Sequence, residues 1–170
     1  MGSDAARLRV APPVTPFHVA LLEPEIPPNT GSIARLCAAT CSPLHLIGPL
    51  GFRIDEKAVR RAGLDYWPLV DLTQHDDLAA FAQHVPPHRW TLFSATAERS
   101  YLDAPFQPGD ALLFGKESVG LPPELLAAHA DRVFGIPTSG AVRSLNLATA
   151  AGIVLFEALR ASGCLAGARR

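Results

Sequence analysis

The chain has 170 residues, of which 48% are hydrophobic and 18% are charged, and its formal net charge is -1. This composition predicts a single domain over residues 17–163, with a disordered leader over residues 1–16 and a short tail over residues 164–170. The leader lacks the apolar centre of a secretory signal, and no apolar run reaches the roughly 18 residues of a membrane span. We therefore expect a cytoplasmic protein without membrane contact. The near-neutral charge excludes a protein that binds nucleic acid through a basic charge spread over its whole surface.

Short apolar runs alternate with helical patterns along the chain. Strands are predicted at residues 17–22, 44–47, 66–70, 90–94, 111–114 and 133–136. Helices are predicted at residues 30–39, 55–63, 77–84, 122–130 and 145–162. Short, mostly apolar strands that alternate with helices predict an α/β fold, a parallel sheet covered on both faces. Ligands of such sheets bind beyond the carboxyl ends of the strands, so the loops after strands are the candidate functional segments.

Cysteine and histidine form no recognisable metal or disulfide pattern. The three cysteines are odd in number, and Cys37 and Cys41 lie four apart on a predicted helix. This spacing predicts buried free thiols rather than a disulfide framework or a C-x-x-C motif. The six histidines lack the spacing of metal ligands, so we expect surface or structural histidines and no bound metal.

Two of the loops after strands have an unusual composition. Residues 24–31 read P-E-I-P-P-N-T-G, where three prolines stiffen the chain, and Arg35 follows Asn29 by six residues. From the start of the next helix, Arg35 is expected to reach back toward this loop. Residues 115–121 read G-K-E-S-V-G-L, with Glu117 between two glycines that permit unusual backbone conformations. A lone glutamate in such a loop either closes the loop through backbone hydrogen bonds or acts as a general acid or base.

The third such loop is S-G-A-V-R-S-L-N-L-A, residues 139–148, which runs directly into an apolar helical pattern. Ser144 is in a position to cap a helix that begins at Leu145. The same helix N-terminus, with Arg143 and Asn146 beside it, would also hold a polar or anionic ligand group. Capping and ligand binding both remain open at this point.

A local cluster of cations lies between the second and third predicted strands. Taken alone, this cluster indicates either a solvated helix face or a local contact with nucleic acid. Its members are Arg53, Lys57, Arg60 and Arg61.

Several common nucleotide and hydrolase motifs are absent. Neither G-x-x-x-x-G-K-[ST] nor G-x-G-x-x-G occurs, which argues against a nucleoside triphosphate site. No serine lies in a G-x-S-x-G elbow, which argues against an α/β hydrolase.

Three motifs occur in a familiar order: P-E-I-P-P-N-T-G-S-I-A-R-L-C-A, F-G-K-E-S-V-G-L-P and I-P-T followed after four residues by R-S-L-N-L-A. From Leu44 to Tyr66 the chain nearly reproduces L-H-x-I-x-P-x-G-F-x-x-D-x-K-x-x-R-R-A-G-L-D-Y. The chain thus resembles the SPOUT-class RNA methyltransferases over about residues 17–160. Within that class it is most similar to the short enzymes that methylate the ribose 2'-hydroxyl of the tRNA wobble nucleotide.

The resemblance implies a carboxyl-terminal trefoil knot, S-adenosylmethionine as methyl donor, and a homodimer whose site combines residues of both chains. The implied partner is the anticodon stem-loop of tRNA, with leucine-accepting tRNAs as the expected substrates and a cytidine or modified uridine as the target. The cofactor pocket would be lined by Phe93, Gly115, Ile136, Ser144 and Leu145. Substrate binding and catalysis would use Asn29, Arg35, Glu117, Ser144 and Asn146. RNA would meet Arg53, Lys57, Arg60, Arg61 and Arg143.

The resemblance assigns Arg35 near the reacting hydroxyl as a suggested base. A guanidinium is almost never neutral, so we expect Arg35 to bind the adjacent phosphate and lower the pKa of the hydroxyl instead. Three alternatives remain open at this stage. They are a 2'-O-methyltransferase of another tRNA or rRNA ribose, a knotted RNA-binding protein without catalysis, and a flavodoxin-like nucleotide-binding module.

Overall fold

The computed structural model describes residues 8–9, 13–54 and 65–166. Its strands form a six-stranded sheet of order β3-β2-β1-β5-β4-β6, and every neighbouring pair is parallel. The strands are β1 (His18–Leu22), β2 (Leu44–Ile47), β3 (Leu72–His75), β4 (Trp90–Phe93), β5 (Ala111–Phe114) and β6 (Val133–Phe134). The α-helices of the described residues are α1 (Pro27–Thr40), α2 (Leu78–Ala82), α3 (Pro123–Ala128) and α4 (Leu147–Ala161).

Two hydrophobic clusters cover the two faces of the sheet, because successive strand residues point to opposite faces. Val19 and Leu21 belong to the cluster that includes Ile33 of α1 and Leu155 of α4. The other cluster contains Ala20 and Leu22 of β1 and Phe81 of α2, and α3 packs against it through Leu125 and Leu126. The predicted parallel sheet with helices on both faces is therefore confirmed, and all six strands end at one edge, here called the carboxyl edge.

Helix α1 begins three residues before the predicted start. Pro27 and Pro28 occupy its first positions, where a missing N–H costs nothing and the fixed φ suits the helix. Prolines that indicate a stiff loop thus open the helix. Asn29 consequently lies in the first turn of α1, where it is buried, rather than in a loop.

The predicted strand at residues 66–70 is wrong. Trp67–Leu69 forms a 3-10 turn with Pro68 inside it, and the third strand follows at Leu72–His75. A proline donates no backbone hydrogen bond, so it is poorly suited to an interior strand. The predicted basic helix at 55–63 lies outside the described residues.

The prediction of buried thiols holds for Cys37, whereas Cys41 is exposed and Cys164 is intermediate. Cys41 adopts a left-handed conformation with φ of 54° at the end of α1, where its N–H donates to the carbonyl of Cys37. Among the described helices, none is long and apolar enough to cross a membrane. The trefoil knot and the domain limits remain predictions.

Candidate active site

Glu117 joins the loop after β5 to the start of α1. Its carboxylate accepts hydrogen bonds from the backbone N–H groups of Glu25, at 2.8 Å, and Ile26, at 3.1 Å. It also accepts one from Nδ2 of Asn29, at 3.1 Å. The two backbone donors lie immediately before α1, where unpaired N–H groups and the helix dipole favour a negative charge. All three contacts use the carboxylate as an acceptor, which favours the loop-closing interpretation of this residue.

Asn29 and Asn146 extend this network to the loop before α4. Nδ2 of Asn146 donates to Oδ1 of Asn29 at 2.9 Å. Oδ1 of Asn146 accepts from the N–H groups of Ala148, at 2.9 Å, and Thr149, at 3.2 Å, and so caps α4. Three loops that follow β1, β5 and β6 are thereby linked in one chain of hydrogen bonds, here called the Asn-Glu-Asn network.

The predicted cap at Ser144 is wrong. Helix α4 begins at Leu147, two residues later than expected, and its N-cap is Asn146. The asparagine carbonyl oxygen is as good a capping acceptor as a serine hydroxyl, and the same side chain already belongs to the network. Ser144 is exposed and belongs to the irregular segment before the helix.

A second set of contacts, made by more exposed side chains, also holds these loops together. The carboxylate of Glu25 accepts from the N–H of Ser118 at 2.9 Å and from its hydroxyl at 3.0 Å, which lowers the pKa of Glu25. Arg143 donates to the carbonyl of Ser118 at 2.7 Å. Lys116 pairs with Glu23 at 2.5 Å, and this hydrogen bond raises the pKa of Lys116. Glu25 and Ser118 are contributors that the sequence interpretation missed, although both lie inside its quoted motifs.

Gly115 makes the sharp turn at the end of β5 possible. A Cβ on Gly115 would lie 2.1 Å from the carbonyl carbon of Gly120 and 2.2 Å from the nitrogen of Leu121. The backbone on the two sides of the loop is therefore too close for any side chain. The N–H of Gly120 also donates to the carbonyl of Lys116 at 2.8 Å, which closes the loop that presents Glu117.

Arg35 lies apart from this network. Its guanidinium lies over the ring of Tyr66, with Cζ 4.8 Å from the ring centroid, and its side chain is exposed. Arg35 was expected to reach back to the loop at 24–31. This expectation is wrong, because its guanidinium contacts the ring of Tyr66 instead. Because α1 starts at Pro27, Arg35 lies in the middle of the helix rather than in its first turns.

The residues predicted to line the cofactor pocket lie along one part of the carboxyl edge. Phe93 ends β4, Gly115 follows β5 and Ile136 follows β6, and these three strands are neighbours in the sheet. Among the described residues, the backbone groups of Ile136, Ser144 and Leu145 have no hydrogen-bond partner. Free backbone donors and acceptors after β6 and before α4 suit a purine base, which carries both kinds of group on one edge.

The predicted RNA-binding cations are only partly described. Arg53 is exposed on the segment after β2, whereas Lys57, Arg60 and Arg61 lie outside the described residues. Arg143 is exposed but donates a hydrogen bond to the loop after β5.

Four histidines that look scattered in the sequence meet on one face of the sheet. Nδ1 of His18 is 2.9 Å from Nε2 of His45, and Nδ1 of His45 is 2.9 Å from Nε2 of His75. His84 adds a ring contact to His75, with centroids 4.7 Å apart. Burial, reinforced by the neighbouring imidazoles, lowers the pKa of His45 to about 3. Within the described ranges no group of His, Cys, Asp and Glu side chains could hold a metal ion.

Burial also lowers the pKa of His18 and of His75. These three histidines lie on β1, β2 and β3, which are neighbouring strands. The signal in the sequence was a histidine on each of two predicted strands. The wrong third strand hid the last member of the row.

The chain is similar to known proteins in both sequence and structure. The family model described as "SpoU rRNA Methylase family" matches residues 16–156. The tRNA (cytidine(34)-2'-O)-methyltransferase of Burkholderia pseudomallei is 44% identical over 155 residues, which cover 89% of this chain and 99% of that protein. The enzyme of the same name from Escherichia coli K12 is 43% identical over 148 residues, which cover 86% of this chain and 94% of that protein.

Two solved structures are also similar. One, described as "Structural insights into the 2-OH methylation of C/U34 on tRNA", has a TM-score of 0.77 and 50% identity, covering 86% of this chain and 95% of that chain. The AdoMet-bound rRNA methyltransferase of Sinorhizobium meliloti has a TM-score of 0.74 and 29% identity, covering 90% of this chain and 61% of that chain. The matched family model spans β1 to α4, the elements that carry the network, and the chain therefore belongs to the SpoU rRNA methylase family.

Proposed function

We propose that this protein transfers a methyl group from S-adenosylmethionine to the 2'-hydroxyl of nucleotide 34 of tRNA. The expected targets are cytidine or modified uridine in leucine-accepting tRNAs. The observation that carries the proposal is the Asn-Glu-Asn network, which fixes three loops at the carboxyl edge. The two relatives named for methylation of cytidine 34 align with this chain over nearly their whole length. This similarity supports the same target.

The residues at the carboxyl edge fit S-adenosylmethionine. The free backbone groups of Ile136 and Leu145 would recognise the adenine base, and Phe93 would contribute an apolar wall at the end of β4. Ser144, exposed and without a side-chain partner among the described residues, would bind a further polar group. Gly115 would shape the pocket through its tight turn rather than by contact with a side chain. The cofactor supplies an electrophilic methyl group on a sulfonium, so the protein needs no nucleophile of its own.

Positioning is then the main task of this chain. Orienting two bound reactants can contribute on the order of 7 to 11 kcal/mol to a reaction barrier. Glu117, Asn29 and Asn146 hold the three loops in fixed register, so that the ribose and the cofactor meet in one geometry. Asn146 also ends the loop that carries Ser144 and Leu145, which connects the network directly to the cofactor side.

Arg35 would bind the phosphate next to the target ribose. Its guanidinium presents several N–H donors in a fixed plane that matches phosphate oxygens. A positive charge there stabilises the developing alkoxide and so lowers the pKa of the 2'-hydroxyl. The hydroxyl proton would leave to solvent, because the guanidinium stays protonated.

A homodimer is part of the proposal. Large apolar side chains are exposed on the loops of the network and on α4, and exposed apolar patches commonly mark interfaces. The exposed fractions are 44% for Ile26, 75% for Val119, 57% for Val142 and 46% for Phe156. A second copy that covered them would also bring its cations near the RNA, which suits a chain whose net charge is only -1. Sedimentation equilibrium should give twice the chain mass.

Methyl transfer to a synthetic anticodon stem-loop tests the proposal. The leucine stem-loop with a ribose at position 34 should accept a labelled methyl group from S-adenosylmethionine. A matched stem-loop with a 2'-deoxy nucleotide at that position alone should accept none. Equal labelling of both RNAs would show that the methyl group goes to a group other than the 2'-hydroxyl of nucleotide 34. Labelling of neither RNA, together with no calorimetric binding of S-adenosylhomocysteine, would reject the activity.

A further inference from the structure

Tyr66 contacts two groups on one face of α1. Its hydroxyl donates a hydrogen bond to the carbonyl of Gly31 at 2.7 Å. Its ring lies against the guanidinium of Arg35, with Cζ 4.8 Å from the ring centroid. Gly31 and Arg35 are four residues apart and therefore neighbours on the helix surface. One tyrosine thus binds both the backbone and the functional side chain of that face.

An exposed arginine on a helix has many rotamers of similar energy, and holding it in one of them costs conformational entropy. A cation within about 6 Å of an aromatic centroid is attracted to the ring face, and a planar guanidinium stacks better than an ammonium. The ring of Tyr66 meets this criterion. It therefore restricts Arg35 to a small set of orientations before any RNA is bound.

The ring is itself held in place. It packs against the core cluster of β1, α1 and α4, and its hydroxyl is bonded to α1. A Cβ at Gly31 would be 3.9 Å from this hydroxyl, an ordinary van der Waals distance, so the hydroxyl lies directly against the helix at this position. Burial raises the pKa of Tyr66, an effect that Arg35 opposes and Asp65 adds to, so the hydroxyl keeps its proton and remains a donor.

We propose that Tyr66 is a positioning residue that orients the guanidinium of Arg35 toward the RNA substrate. This inference rests on the proposed function, because it assigns Tyr66 to the same reaction. Tyr66 does not touch the reacting atoms. It acts through Arg35, so its effect should depend on which side chain stands at position 35.

Steady-state methyl transfer to the leucine anticodon stem-loop tests this dependence in a double-mutant cycle. Tyr66→Met removes the ring but keeps an apolar side chain, and it should lower kcat roughly tenfold through lost orientation. Tyr66→Phe keeps the ring and should retain kcat within about threefold, since the attraction of the cation to the ring face remains. In an Arg35→Lys background, Tyr66→Met should cost less than about twofold, because a lysine ammonium gains less from the ring.

Calorimetric affinity for S-adenosylhomocysteine should not change with kcat. Tyr66→Phe and Tyr66→Met both lose the hydrogen bond to Gly31, so the thermal midpoint should fall in both, whereas kcat should fall only in the variant without the ring. Should Tyr66→Met unfold, Tyr66→Leu serves as the second non-aromatic variant in the same cycle. An unchanged kcat in the non-aromatic variants, or an equal loss in both Arg35 and Lys backgrounds, would overturn the positioning role while the wild-type activity stands. A wild-type protein without methyl transfer would overturn both this inference and the proposed function.

Discussion

Substitution of Asn146 separates the two tasks of one side chain, because its two amide atoms face different partners. Oδ1 caps α4, whereas Nδ2 donates to Asn29. Asn146→Ala removes both, and loss of a cap costs about 1 kcal/mol and loss of a hydrogen bond about another 1 kcal/mol. For a chain of this length, the sum of about 2 kcal/mol corresponds to a fall in Tm of roughly 4 to 8 °C.

Asn146→Asp is the more informative variant. It keeps a capping oxygen and loses only the hydrogen bond to Asn29, so its Tm should fall by roughly 2 to 4 °C, about half the effect of Asn146→Ala. It loses the donor to Asn29, and rotation of the Asn29 amide cannot compensate, because its oxygen would then face the carboxylate of Glu117. We expect kcat/KM for methyl transfer to fall by about 100-fold, the scale of a small misplacement of reacting groups.

Asp77→Ala is the matched control for the loss of a cap. Asp77 caps α2 by accepting from Ala80 at 2.8 Å, and it lies outside the network. Its removal should lower stability by about 1 kcal/mol without changing kcat/KM. Differential scanning fluorimetry and initial rates measure both quantities on the same samples. An Asn146→Asp protein with wild-type kcat/KM would refute the argument that the network orders the site.

The remaining predictions concern packing and ionisation. His45 has a pKa of 6.5 in the unfolded chain and of about 3 in the folded protein, so between these values only the unfolded chain binds the proton. The free energy of unfolding therefore keeps its full value above pH 6.5 and decreases as the pH falls. Urea unfolding should show a decrease of about 2 kcal/mol at pH 5. His45→Gln should flatten this slope. Gly115→Ala should yield no folded protein by circular dichroism, because its Cβ would overlap backbone atoms. A thiol reagent should label exposed Cys41 and spare Cys37, whose pKa burial raises to about 12.

The central strands could be predicted closely from the sequence. β2 and β5 match their expected bounds, and β1 differs from them by one residue. These strands are short apolar runs buried on both faces, a pattern with few alternatives in a parallel sheet. The start of α1 was harder to predict, because Pro27 and Pro28 suit a stiff loop and a first helical turn equally well. The strand expected at residues 66–70 failed because an apolar run with a proline also fits a 3-10 turn.

The candidate site was predicted in composition but not in connectivity. Glu117, Asn29 and Asn146 all lie in the motifs, yet Asn29 is 88 residues from Glu117 and 117 residues from Asn146 in sequence. Their meeting depends on the strand order, which places β1 beside β5, and periodicity carries no information on that order. The contact of Tyr66 with Arg35 was hidden for a similar reason, since it joins a helix to a turn that was expected to be a strand.

The position of the transferred methyl group tests the central claim most directly. The protein should be incubated with S-adenosylmethionine and a pool of unmodified tRNA transcripts, and the products should be digested and mapped by mass spectrometry. The account predicts one methylated ribose, at nucleotide 34 of leucine-accepting tRNAs, with Asn146→Asp protein leaving it largely unmodified. A methyl group on a base or on another ribose would contradict it.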